Sequence, residues 1–164
     1  GLTPIAHNQT LDIKNGIHTR KTTFLVDGVN ITVCAERFVS MSRENIMALK
    51  YSLIADKDVK VAVKTGIDKN IWSISGVHLN FINEEYNDGL LKLDCETVQL
   101  KNKLTVYEEV LGLLNIENRD LLHFANVDLK ANEAFEFIKF GGVYHSDSLA
   151  NAANNFKTFF MPSL

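Results

Sequence analysis

In "VKVAVK" (residues 59–64), Val59, Val61 and Val63 fall on one side of the backbone and Lys60 and Lys64 on the other. Successive side chains of an extended chain point to opposite faces, so this period-two pattern describes a strand with one buried face. No other element of the chain is so restricted in what it can form. "LLKLDCET" repeats the pattern, with Leu91, Leu93 and Cys95 set against Lys92, Asp94 and Glu96. "GVHLNFI" points Val77, Leu79 and Phe81 one way. Asp27-Gly28 separates two further strand-like runs as a hairpin turn, and Asn87-Asp88-Gly89 separates the runs at 77–83 and 90–97. With strand candidates also at 102–108, 121–129 and 133–145, the expected fold is all-β and mainly antiparallel: a β-sandwich spanning residues 1–164 as one domain.

Two segments stay open on periodicity. "SRENIMALKYSLIA" has Ile46, Leu49 and Leu53 at helical spacing, but Met47, Leu49, Tyr51 and Leu53 alternate. "YEEVLGLLNIEN" (107–118) is equally undecided. The C-terminal run "HSDSLANAANNFKTFF" predicts a short helix capped by Ser146 or Asp147. Its stripe is Leu149, Ala152, Ala153, Phe156 and Phe160, and Pro162 follows. Gly141-Gly142 is expected to mark a bulge or kink.

Bulk properties exclude several functions. A net charge of −3 gives no reason to expect nucleic acid or an anionic membrane as partner. No apolar run approaches the ~18 residues of a membrane span, and "GLTPIAHNQT" has neither part of a signal peptide. A cytoplasmic location is therefore expected. The leading Gly and the apolar ending "FFMPSL" suggest a truncated piece of a larger protein. Cys34 and Cys95 lie outside any C-x-x-C pattern and read as buried thiols.

The search for chemistry finds no catalytic set and no metal site. His7, His18, His78, His123 and His145 lack ligand spacing and read as structural or surface histidines. There is no G-x-S-x-G elbow and no P-loop. Glu84-Glu85 and Glu108-Glu109 are adjacent pairs. Neighbours on a strand point to opposite faces, so neither pair can flank one glycosidic bond, and both are expected to be solvated.

Four stretches resemble one family in order and spacing over nearly the whole chain. They are "QTLDIKNGIHTRKT" (9–22), "AERFVSMSRENIMALKYSLIA" (35–55), "VAVKTGIDKNIWSISGVHL" (61–79) and "FGGVYHSDSLANAANN" (140–155). Together they resemble the N-terminal domain of glycoside hydrolase family 65, whose members are mostly maltose, kojibiose, nigerose and trehalose phosphorylases. Lys69 stands where the family's G-I-D-G motif has its second glycine, and Ser148 where T-S-R-D has arginine. The resemblance implies a β-sandwich of the supersandwich, galactose-mutarotase-like type, and makes 44–55 a strand.

It also implies that the catalytic acid lies in an (α/α)6 barrel outside this chain. That barrel is the expected partner, a homodimer is a further expectation, and the substrate is an α-linked disaccharide. The parent reaction would be inverting phosphorolysis, with inorganic phosphate as co-substrate and no cofactor, or hydrolysis of the same bond as in the family's hydrolases. The loop "TGIDKNIWSISG" and the histidine after it offer Asp68, Asn70, Trp72 and His78 as candidate binding residues. Three roles are open for them: support of the barrel or subunit interface, direct sugar contact by a stacking tryptophan, or a plain turn. A scaffold domain, a free-standing carbohydrate-binding sandwich and a small enzyme are the competing functions. The single Trp makes a sugar-binding aromatic platform thin.

Overall fold

The structure, a computed structural model, describes residues 2–70, 74–145 and 152–157. Its strands in chain order are β1 (Pro4–Asp12), β2 (Ile17–Val26), β3 (Val29–Val39), β4 (Ile46–Ala55), β5 (Val59–Gly66), β6 (Leu79–Asn87), β7 (Leu90–Thr97), β8 (Lys103–Leu111), β9 (Glu117–Arg119), β10 (Leu122–Leu129) and β11 (Ala134–His145). One helix, α1 (Ala152–Lys157), follows. Eight strands form a sheet in the order β1-β2-β3-β4-β11-β8-β7-β6, and β5-β10-β9 form a second sheet. Every strand pair is antiparallel.

The hairpins form where turn chemistry placed them. Asp27 and Gly28 take φ of 50° and 76°, and Asp88 and Gly89 take 50° and 83°. Positive φ at both central residues matches the twist of the flanking strands. The alternating valines of β5 face inward and pair with Ala125, Val127 and Leu129 of β10. Together they pack on Ala55, Val110 and Phe137 of the large sheet, which forms the main core. Leu91 and Leu93 build a second cluster on the same inner face with Leu121.

The segment 46–55 is a strand, in register with β3 and β11. Its alternation outweighs its helical spacing because Tyr51 and Leu53 meet the main core, and Tyr51 stacks on Phe137 at 5.0 Å. Residues 107–111 complete β8. The run beginning at Val77 enters its strand two residues late, at Leu79, and Ile82 is a bulged residue against β7.

Three expectations need correction. Gly141-Gly142 is no bulge, because β11 keeps unbroken register with both β4 and β8. Gly142 instead makes room for Phe156, since a Cβ there would lie 2.6 Å from the ring. The helix stripe is narrower than expected: Ala152 and Phe156 are buried, but Ala153 is exposed. Phe156 stacks on Tyr107 at 5.5 Å and docks α1 on the outer face of the large sheet. Burying that ring contributes about 2–3 kcal/mol. Ser146, Asp147, Leu149, Phe160 and Pro162 lie outside the described residues. Finally, Glu108 is buried rather than solvated, whereas Glu84 and Glu85 are exposed and pair with Lys69 and Lys92. Cys95 is buried as expected, and Cys34 is half-buried.

Candidate functional site

The loop after β5 starts from a strained and crowded glycine. Gly66 has φ of 150°, and a Cβ on it would stand 2.3 Å from the carbonyl oxygen of Leu121 and 2.7 Å from Leu122 Cα. Both obstacles are backbone, so only glycine fits. The Ile67 amide then donates to Leu121 O at 2.9 Å, which ties the loop to the start of β10.

Beyond this anchor, Asp68 Oδ1 accepts the Asn70 amide at 2.8 Å, a local turn that uses the carboxylate internally. Lys69 reaches Glu84 on β6 at 2.7 Å and staples the loop to the sheet edge. His78 is exposed, and its carbonyl accepts the Val98 amide at 2.9 Å. Its side chain borders a shallow groove of about 310 Å³ with Val77, Val98 and Leu100, which Asp68 and Asn70 do not line. The structure thus joins Asp68 with Asn70 and leaves His78 in separate surroundings. Trp72 lies outside the described residues.

Under the loop base sits a polar cluster that the sequence reading passed over. Thr65 of β5, Glu108 of β8, His123 of β10 and Lys139 of β11 all sit on the inner faces of the two sheets. Lys139 Nζ lies 2.7 Å from Glu108 Oε2 and donates to the Gly66 carbonyl at 3.0 Å. Thr65 Oγ1 donates to Glu108 Oε1 at 3.4 Å. The glutamate side chain is only 4% exposed and the lysine 21%. Burial pushes the Glu108 carboxyl above its ordinary value, and the ammonium of Lys139 offsets part of that rise.

His123, 1% exposed, lies directly opposite Thr65. Its Nδ1 hydrogen-bonds Asn118 Oδ1, so the proton sits on Nδ1. Nε2 is buried with no hydrogen-bond partner among the described residues. Burial, and then the charge of Lys139, lower the imidazole's pKa, so the ring is held neutral. Tyr86 meets it edge-on at 6.2 Å.

The cluster was detectable. Glu108 lies between Val106 and Val110 in strand parity, His123 between Leu121 and Ala125, and Lys139 between Phe137 and Gly141. A polar residue at an inward position is the signal. Chemically, the arrangement is a clamp: Lys139 holds the loop's first carbonyl and the carboxylate together, with no open face on which to meet a substrate. Among the described residues no group of three His, Cys, Asp or Glu side chains converges to hold a metal.

Comparisons with known proteins agree on one family. The family model described as glycosyl hydrolase family 65, N-terminal domain, matches residues 3–158. The 1,2-alpha-glucosylglycerol phosphorylase of Bacillus selenitireducens is 32% identical over 104 residues, covering 61% of this chain and 13% of that protein. The nigerose phosphorylase of Lachnoclostridium phytofermentans is 35% identical over 106 residues, covering 65% and 14%. A solved structure named "Putative kojibiose phosphorylase from human microbiome" superposes with a TM-score of 0.81 at 17% identity, over 96% of this chain and 22% of that one. The matched region is thus a small part of each of these longer chains.

Proposed function

The chain belongs to the glycosyl hydrolase family 65 N-terminal domain family, and from that premise we propose that it is a non-catalytic β-sandwich scaffold within a larger α-glucoside phosphorylase. One observation carries the reading. Among the described residues, the carboxyl group with the strongest burial and an adjacent cation, Glu108, is enclosed between the sheets and committed to Lys139 and Thr65. A general acid must reach the oxygen it protonates, and Glu108 reaches none that a bound sugar could offer.

On this reading the acid comes from an (α/α)6 barrel in the same polypeptide, which is the domain's partner. Inorganic phosphate attacks the anomeric carbon of an α-linked disaccharide with inversion while that acid protonates the leaving oxygen. The protein works in the cytoplasm, and a second subunit is a further partner of the domain. The domain contributes a mount: Gly66 and Lys139 fix the base of the 66–78 loop, whose candidate contacts with the barrel or that subunit are Asp68, Asn70, Trp72 and His78. The test is direct. The purified 164-residue chain, incubated with phosphate and maltose, kojibiose or trehalose, is expected to release no glucose 1-phosphate. Release of that product would overturn the scaffold role.

A further inference from the structure

The three-stranded sheet covers the large sheet over β3, β4, β8 and β11, and beside it the inner face of β2–β4 opens into a groove of about 220 Å³. Its polar lining is Arg20, Thr22, Arg37 and Tyr51, over an apolar floor that includes Phe24 and Leu49. Arg20 pairs across the ladder with Ala35, so Arg37, two residues along β3, is its diagonal neighbour on the same face. Diagonal Cβ atoms stand about 7–8 Å apart, close enough for two long guanidinium arms to meet over one ligand.

Hydrogen bonding sets the polarity of this face. Arg37 Nε donates to His18 Nδ1 at 3.0 Å, which obliges His18 Nε2 to carry the proton it gives to Gln9 Oε1 at 3.1 Å. Gln9 Nε2 donates to His7 Nε2 at 2.9 Å, and His7 Nδ1 donates to Thr22 Oγ1 at 2.9 Å. Every bond in the chain runs the same way, from Arg37 to Thr22. Two consequences follow. Arg37 is held through Nε, which leaves its terminal amino groups available to the groove. Thr22, having accepted, keeps its own hydroxyl hydrogen to donate.

Each polar side chain lining the groove can therefore donate, and no Asp, Glu, Asn or Gln side chain lines it. Among the described residues, neither Arg20 nor Arg37 forms an ion pair. The acids of the neighbouring strands lie on the opposite face of the sheet, where Glu36 stands in register with Lys50 and Glu136 forms an ion pair with that lysine at 2.8 Å. A neutral sugar, whose hydroxyls need acceptors as well as donors, is poorly matched. A ligand that only accepts and carries negative charge is well matched.

We propose that the Arg20–Arg37 groove binds a phosphate group, either free or carried on a sugar. Two guanidiniums answer its double charge, and the Thr22 hydroxyl supplies a third donor. This site stands apart from the 66–78 loop and does not depend on the scaffold role.

Isothermal titration calorimetry of the 164-residue chain with inorganic phosphate, glucose 1-phosphate and glucose tests it. Saturable binding of one or both phosphates and none of glucose is expected. Inorganic phosphate alone identifies the free ion as the ligand, and tighter glucose 1-phosphate identifies the ester. Arg20→Gln and Arg37→Gln should each weaken binding roughly tenfold or more. Lys21→Gln removes the same charge from the opposite face and should leave Kd unchanged. His18→Leu, which frees Arg37 without removing charge, should also weaken binding. Thermal transitions of the exposed-arginine variants, expected to match the parent chain, confirm that they are folded. The proposal is overturned if neither phosphate binds saturably, if glucose binds as well as its phosphate, or if Lys21→Gln weakens binding as much as the arginine variants do.

Discussion

Replacing Lys139 with methionine removes the ammonium 2.7 Å from Glu108 while keeping a side chain of similar reach. Two costs then compete. Leaving the carboxylate charged, buried and unpaired costs about 3–5 kcal/mol. Protonating it instead costs about 1.36 kcal/mol for each pH unit above its ordinary value of 4.5, or roughly 3.4 kcal/mol at pH 7. The two costs are comparable at pH 7, and protonation caps the loss at roughly 3.4 kcal/mol. The sign follows from burial, which already raises this carboxyl in the native chain. The unfolded chain releases its proton first, and stability falls as pH climbs from 4.5 towards the folded value. Without Lys139 that window extends further upward.

The variant should therefore lose up to about 3 kcal/mol at pH 7 and little at pH 4.5, with a slope approaching 1.4 kcal/mol per pH unit between them. Urea unfolding from pH 4.5 to 7.5 measures this. The double variant Glu108→Gln, Lys139→Met should show no such slope. A loss that is equal at every pH, or larger in acid, would refute the assignment of a raised, lysine-stabilised Glu108.

Gly66→Ala drives a methyl group into the Leu121 carbonyl at 2.3 Å and should destabilise the fold by about 3 kcal/mol or more, read as a lower urea midpoint. His123 is held neutral because burial and Lys139 depress its pKa, so its contribution is present above 6.5 and is lost as pH falls below that value. His123→Gln should remove that loss, so that the variant's thermal stability relative to the parent chain rises as pH falls from 6.5 to 5, and a difference that stays constant with pH would show that His123 does not titrate as described.

The inner faces of β5 and β7 were legible because their alternation is strict and each apolar side meets a core. The polar cluster was present in the same alternation, but adjacent glutamates read as a solvated pair, because strand parity places one of two neighbours inward without saying which. Val106 and Val110 on either side of Glu108 resolve that choice. The glycine pair was misread for a different reason. A glycine in a strand marks either a bend or a close approach, and the object approaching Gly142 is Phe156, fourteen residues later on another element. Ala153 was misplaced because an apolar stripe wider than the contact it serves leaves its flank in water.

By itself, the amino-acid order decided local matters: strand period, the two Asp-Gly reversals, and which residues share a face. These depend on side-chain direction and allowed φ, both properties of neighbouring residues. Tertiary structure alone decided that β11 inserts between β4 and β8, and that Thr65, Glu108, His123 and Lys139 meet beneath one loop. Those outcomes join positions dozens of residues apart. What selects them is the burial of two whole sheet faces and the need to pair a desolvated carboxylate, energies that exist only once the sheets have closed on each other.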